Sequence, residues 1–574
     1  MTVKQLKFGV VLFIASSTIH SNQSFAQSVD YYFNSDDSTK FSNEHISSSN
    51  RDDRDPVITL INIKTDRLER NQPDAIDIQE VKKIIAVHQK RNDKKYTIDR
   101  LELLAEDLTR YYRSKGFILA KVFFPEQGVI NKTLSLDVVY GTLEKVTAHN
   151  HDHYSSDRLT RPFKDITGLP IEITSLESSL IELQQYPGVS VQSRFREGES
   201  LGSTQIDVFV KDEKITDFNF SFDNYGSEYT GSMRGTLTAD VYNVVDMADQ
   251  LSINVLATVD PTNSVFWGAS YQFRWSPYFD NPNLNRAFRH GLLFKFGHQQ
   301  SEYIVGGDFE LAKIRGEANT SFVGVSKYFY LQNDFKWSAG LTLSKKQATS
   351  YQNDRPQVED KLSIVTTTST LLWNDHLTSP AANAIQLDIH TGLPGFAGSY
   401  SNGDSRISRV SNSNQKAPMD FVKYNLSLVR NQKVGPYEVL GKIRMQYTDD
   451  LLLSSELANL GGATSVRGYA SSDFSGDKAT ILTFEVSGRA NANKFSIPIS
   501  DLKLAAFVDH GIGTRLSPDL DVLAEAEMTS VGGYAQFLKD GKFSSKIELA
   551  MPLNAIGDSD KNQFEVLFNF DRGF

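Results

Sequence analysis

Few segments of this 574-residue chain carry side chains arranged for chemistry, and the most informative is the connection 448–476. It holds Leu460-Gly-Gly462, Ser465-Val-Arg-Gly-Tyr469 and Gly476-Asp477. An arginine set between an apolar residue and a Gly-aromatic step is costly in any dry place unless a carboxylate meets it. A partner lies on 501–511, where Leu502, Leu504, Ala506 and Val508 share one register, so that Phe507, Asp509 and Gly511 share the other. If the connection folds inward, Arg467 and Asp509 form a bidentate pair that ties it to the wall bearing Asp509. Reversing both charges should then preserve the contact. On 477–490 the same alternation turns Thr480, Leu482, Phe484 and Val486 outward and offers Glu485 and Arg489 inward as further partners. The set Val466, Arg467, Gly468, Tyr469, Phe507, Asp509 and Gly511 therefore reads as a loop-to-wall tether, not as an active site.

Two other patterns invite catalytic or metal readings. Gly198-Glu-Ser-Leu-Gly202 matches the nucleophile elbow of serine hydrolases, which needs a strand-to-helix turn; here it separates two predicted strands, so a hairpin turn is expected. His149, His151 and His153 alternate in a polar Asn/Asp loop, where neutral imidazoles are commonly solvated. Inward-facing acids are the ordinary lining of a water-filled barrel. The expectation is no catalytic residue, no metal and no cofactor.

The elements that must position the tether announce themselves by alternation. Phe218, Phe220 and Phe222 oppose Asp217, Asn219, Ser221 and Asp223; Leu251, Ile253, Val255, Ala257 and Val259 oppose Ser252, Asn254 and Thr258; Phe564, Val566, Phe568 and Phe570 oppose Glu565, Asn569 and Asp571, and the chain ends on Phe574. Ten-residue segments with one apolar and one polar face are the signature of a transmembrane β-barrel. Strands are expected at 216–226, 231–242, 249–259, 265–275, 291–300, 313–330, 335–347, 361–375, 382–392, 418–430, 436–447, 477–490, 501–511, 529–538, 541–551 and 563–573, sixteen antiparallel strands if 306–330 holds one strand and not two. Tight turns (332–334, 539–541) alternate with long connections (393–417, 448–476, 512–528). A mean hydropathy of −0.35 fits such averaging, and after residue 26 no apolar stretch is long enough for a membrane-spanning helix. The absence of cysteine excludes disulfides and thiol chemistry, and a net charge of −10 argues against a nucleic-acid partner.

Ahead of the barrel, Lys4 and Lys7, the apolar run Phe8-Gly-Val-Val-Leu-Phe-Ile-Ala15 and Ser24-Phe25-Ala26 read as a signal peptide over 1–26. Residues 27–56 are a Ser/Asn/Asp-rich polar linker. Over 57–143 the signals run strand (57–63), helix (76–87), a second helix after Thr97 with Leu101, Leu104, Ala105, Leu108 and Tyr111 in one stripe, then strands at 120–124 and 133–140. The order recurs over 144–212, with strand 143–148, a weak helix 155–163, a helix opened by a Thr174-x-x-Glu177 capping box, and a closing hairpin. This is an internal repeat of two α+β modules.

The Val466-Arg-Gly-Tyr469 loop, the Phe507-x-Asp-x-Gly511 strand, the leader, the repeated modules and the terminal Phe together resemble the two-partner secretion outer-membrane transporters of the ShlB/FhaC/HecB type. Tyr112-x-x-x-Gly-Phe117 with Pro125-Glu-Gln127, and Leu176-Glu177 with Tyr186-Pro-Gly188, extend the likeness through both modules. The resemblance implies POTRA modules at 57–143 and 144–212 in the periplasm, and a transmembrane barrel over 213–574 in the outer membrane of a Gram-negative bacterium. It also implies export of one large secreted partner, of haemolysin, adhesin or toxin type, through a barrel that is monomeric in outer-membrane lipid. Relatives carry a plug helix before the modules; residues 27–55 show no helical stripe for one. The alternative is a barrel-assembly factor, which shares the loop motif.

Overall fold

The computed structural model describes residues 58–574 except 60–61, 70–72, 74, 128, 130, 201, 260, 278–283, 285–287, 410–416, 491–500, 518–521, 540–541, 557–558 and 560. The expected signal peptide and polar linker lie outside the described residues. Two compact units are distinguished, one of residues 58–213 with 276–290, the other of 214–275 with 291–574.

In the first unit the helix Ile78–Arg91 is capped by the Asp77 side chain, which accepts from the Gln79 N–H. The helix Ile98–Ser114 is capped by Thr97 and buries Leu101, Leu104, Ala105, Leu108 and Tyr112. Tyr112, not the expected Tyr111, completes the stripe, because eleven residues from Leu101 close about three turns. Tyr111 sits beside it, its hydroxyl accepting from the Asp77 N–H (3.0 Å). These helices cover Ile63, Val122, Leu134 and Leu136. The strand expected over 133–140 is two short ones, Thr133–Ser135 and Asp137–Val139, pairing with Asn62–Lys64 and Lys121–Phe123 respectively. In the repeat, Thr142–His149 runs parallel to Ser203–Glu213, which pairs antiparallel with Val189–Glu197. The helix Ile173–Gln184 starts at N-cap Glu172, two residues before the predicted cap, and the Thr174 hydroxyl donates to the Glu172 carboxylate (2.8 Å) instead of capping. The strands Val189–Glu197 and Ser203–Glu213 on either side of the Gly198–Gly202 motif pair antiparallel, as in a hairpin and not a strand-to-helix elbow. His149 meets Asp207 (3.1 Å), His151 meets the Ser156 hydroxyl, and His153 donates its backbone N–H to Glu213.

Glu213 accepts the N–H groups of Asp152, His153 and Tyr154 (2.9, 2.9 and 3.0 Å). Its burial opposes ionisation, yet these three donors outweigh it and hold the carboxyl below its usual range. A depressed carboxylate stabilises above its unfolded pKa and loses that contribution as pH falls through the folded value. The amides of 152–154 are therefore expected to lose hydrogen-exchange protection below about pH 4.5, with Glu213→Gln removing that pH dependence.

The second unit is a closed barrel of sixteen antiparallel strands. They are β1 Thr216–Asp223, β2 Arg234–Tyr242, β3 Gln250–Thr258, β4 Ser264–Trp275, β5 Leu292–Ile304, β6 Ile314–Leu331, β7 Phe335–Gln352, β8 Arg355–Asp375, β9 Ala381–Gly392, β10 Val422–Val434, β11 Tyr437–Thr448, β12 Lys478–Ala490, β13 Asp501–Leu516, β14 Val522–Lys539, β15 Phe543–Pro552 and β16 Glu565–Gly573. β16 closes on β1 through Asn219↔Gly573 to Asp223↔Asn569. Outward positions carry the apolar face: Leu504, Val508 and Ile512 are exposed while Phe507, Asp509 and Gly511 are buried inside. One expectation fails here. The long connection read at 512–528 is mostly strand, since β13 runs on to Leu516 and β14 starts at Val522. In this stretch the outward residues include Glu525 and Glu527, both exposed. Beyond the lipid band an outward side chain has no reason to be apolar, so the alternation signal stops while the hydrogen-bonded ladder continues.

Candidate functional site

The connection between β11 and β12 turns back into the barrel on Gly461 and Gly462, both at positive φ (96° and 93°). A short strand pair, Ala458–Leu460 with Phe474–Gly476, closes its neck. Leu460, Val466 and Tyr469 are fully buried against Ala479, Ile481 and Met528.

At the tip, Arg467 donates from Nε to Asp509 Oδ2 (2.7 Å) and from Nη2 to Oδ1 (3.0 Å), the fork geometry of a bidentate pair. Its backbone N–H also donates to Asp509 Oδ2 (3.2 Å). Nη1 donates to Glu548 Oε2 on β15 (3.1 Å) and lies 3.6 Å from Glu485 Oε2 on β12. The guanidinium carbon sits 3.3 Å from the centroid of the Phe507 ring, a cation–π contact that adds to the pair. Asp509 is fully buried and Arg467 is 8 % exposed, so each charge depends on the other.

The glycines make room. A Cβ on Gly511 would come 2.7 Å from Val466 Cγ2, and one on Gly532 of β14 would come 2.5 Å from Phe507 Cζ. Gly468 adopts φ +88° with Ala550 of β15 beside it, where a Cβ would meet its backbone carbon at 3.3 Å. Thus in Phe507-x-Asp-x-Gly511 the ring floors the guanidinium, the carboxylate takes its fork and the glycine admits Val466. Tyr469 reaches past them: its hydroxyl donates to Asn554 Oδ1 (2.8 Å) and accepts the Thr529 N–H (3.0 Å). Tyr469→Phe is expected to weaken loop docking by about 1 kcal/mol, read as a modest rise in protease cleavage within 462–470 and near-normal export.

The structure thus brings Val466, Arg467, Gly468, Tyr469, Phe507, Asp509, Gly511 and Glu485 into one cluster. It does not bring Arg489, which pairs with Asp501 (3.2 Å) at the other end of β12 and β13. Glu485 and Arg489 share an inward face but stand four residues apart, about 13 Å along a strand, so only one is level with the loop. Sequence reading missed three members. Glu548 was accessible in principle, as the inward residue between exposed Ile547 and Leu549. Arg444 on β11 donates to Thr464 O (2.6 Å) and steadies the loop from the other side. Asn554 lies in the β15–β16 connection and had no sequence signal. The added carboxylates also overturn the charge-reversal expectation: an aspartate at 467 would face Glu548 and Glu485, so the swapped pair is not restored.

The model of the haemolysin secretion/activation protein family ShlB/FhaC/HecB matches residues 202–523, and the ShlB-type POTRA domain model matches 74–141. The chain belongs to the ShlB/FhaC/HecB family. Similar chains include the heme/hemopexin transporter protein HuxB of Haemophilus influenzae strain 86-028NP, 24% identical with 82% of this chain and 80% of that one covered. Another is the outer membrane transporter CdiB of Dickeya dadantii strain 3937, 23% identical with 72% and 70% covered. The fold matches CdiB from Escherichia coli (TM-score 0.75, 18% identity, 97% of both chains) and CdiB from Acinetobacter baumannii (TM-score 0.65, 18% identity, 97% of both). Members are two-partner secretion transporters, and this favours export over the barrel-assembly alternative. The barrel accordingly lies in the outer membrane with its POTRA region in the periplasm.

Proposed function

We propose that this protein captures one large, unfolded exoprotein on the strand edges of its two modules and passes it through the barrel, and that the Arg467 tether must hold or release its loop for passage. The supporting observation is the joining, in one chain, of open-edged soluble sheets to a closed barrel that carries an inward-folded loop. In the three-stranded sheet Val189–Glu197 lies at an edge and is exposed over most of its length. Its free backbone donors and acceptors suit an extended client, which adds as a further strand. The chemistry needed is recognition and passage. Folding of the client outside the cell then biases its movement. The curated relatives are named for heme/hemopexin, haemolysin and CdiB transport; a partner of haemolysin, adhesin or toxin type is the corresponding expectation here. The barrel acts as a monomer in outer-membrane lipid.

A photocrosslinking residue at Gln192, exposed on the edge strand, tests capture. The expected result is a high-mass adduct with the exported partner, reduced when an extended peptide from that partner competes. Adducts with many unfolded barrel proteins and none with a large exoprotein would support assembly instead.

A further inference from the structure

The tether holds the tip of the inward connection and leaves its root unexplained. That connection leaves β11 through Leu451-Leu-Leu-Ser-Ser-Glu456. The three leucines are buried in one apolar cluster with Leu362 and Ile364 of β8. A single turn over Ser454–Glu456, closed by the Glu456 N–H on the Leu453 carbonyl (2.9 Å), then places a carboxylate that is only 1 % exposed.

Two lysines meet it. Lys346 of β7 donates to Glu456 Oε1 (2.8 Å), and Lys423 of β10 lies 2.7 Å from Oε2 while donating to the Glu456 carbonyl (3.1 Å). Gln446 of β11 gives its amide to that same carbonyl and to the carbonyl of Asp477, both at 3.1 Å, so one side chain joins the start of the connection to its end. Lys423 is buried as well. Removing the acid would strand two buried cations side by side.

Apolar contact is non-directional and sets no register; the contacts with Lys346, Lys423 and Gln446 do, because they fix which residue of the connection lies against β7, β10 and β11. The tip, in turn, is held on β13 and β15 through Asp509 and Glu548. In the closed ring of sixteen strands β15 stands eight strands from β7, on the opposite side of the lumen. Between the two anchors run the paired neck Ala458–Leu460 with Phe474–Gly476 and the turn at Gly461 and Gly462, a hydrogen-bonded link with little slack.

We infer that Glu456 is a positioning residue, which seats the root of the connection on Lys346 and Lys423 so that the connection braces the lumen from wall to wall, and that the placing of Arg467 over Asp509 depends on it. The consequence for export rests on the tether reading, whereas the brace itself is measured without a client.

Purified Glu456→Gln, with folding checked by heat-modifiable gel mobility, is expected to raise protease cleavage within 462–470 roughly tenfold, although every group that contacts Arg467 is still present. Glu456→Gln with Lys346→Met keeps the net charge of the buried group, so it is expected to fold even if the single variant does not, and to show the same rise. Glu456→Asp, one methylene shorter, is expected to recover part of the protection. Adding Glu456→Gln to Arg467→Ala is expected to speed cleavage little beyond Arg467→Ala alone, because both anchors hold one brace. Wild-type cleavage in a folded Glu456→Gln variant, single or double, or effects of the two anchors that simply multiply, overturns the brace. Raised cleavage with undiminished export keeps the brace and rejects the role of the tether in export.

Discussion

Cells carrying Arg467→Ala are expected to export the partner at roughly one-hundredth of the normal rate, from a barrel that still folds and inserts. The alanine removes three side-chain hydrogen bonds to Asp509 and Glu548 and the contact with the Phe507 ring. It also leaves Asp509, Glu548 and Glu485 facing one another, with Lys546, 2.7 Å from Glu548, and the buried Arg444 to offset them. Breaking a buried pair by deleting one partner costs roughly 3–5 kcal/mol, because the remaining charge stays desolvated. The ladder hydrogen bonds of β12–β15 are untouched, so the loss falls on loop docking and not on barrel closure. Arg467→Lys keeps the charge but not the fork, and is expected to fall between alanine and wild type. Export of the partner, normalised to folded barrel in the membrane, measures both; an alanine variant exporting at the wild-type rate would sink the tether's role.

Gly511→Val leaves every charge in place and is expected to undock the same loop. Its Cβ alone would sit 2.7 Å from Val466 Cγ2 and 3.2 Å from Leu460 Cδ2, and the branched side chain adds two further methyl groups. Val466 is fully buried and its neighbour Arg467 is held through both backbone and side chain, so neither can yield without pulling the guanidinium off Asp509. Overpacking of this kind costs typically about 1–3 kcal/mol, so export is expected to drop about tenfold or more. Protease cleavage in 462–470 should rise in parallel. Gly511→Val with Val466→Ala, which returns volume across the same contact, is expected to recover much of the loss. Failure of the double variant to improve on the single would mean that Gly511 acts through something other than space for Val466.

The barrel was legible because lipid and water impose opposite demands on alternate residues: Leu504 and Val508 outward, Phe507 and Asp509 inward. That signal ends where strands rise past the lipid, which is why 512–528 read as a connection although Glu525 and Glu527 belong to β14. The tether was legible as a pair because a dry arginine needs an acid and Asp509 lay on an inward register. Its full membership was not. Period-two reading says which wall a residue faces and nothing about its height or the strand across the lumen, so Arg489 was offered and Glu548 overlooked. The same gap hid a second dry patch inside the barrel: Leu362 and Ile364 are apolar on a polar face, and only the fold shows that Tyr400, Phe421 and Leu452 cover them. In the modules the cap at Thr97 was legible, and the capping box at Thr174 was not formed because Glu172 starts that helix first.

Export of a dedicated partner by this chain is the function that the tether serves. Its most direct test is quantitative surface and supernatant proteomics of cells with and without the protein, with total outer-membrane barrels measured in the same samples. One large exoprotein is predicted to vanish from the surface and medium while the other barrels stay at normal levels. General depletion of outer-membrane barrels, or an unchanged set of surface and secreted proteins, would contradict it.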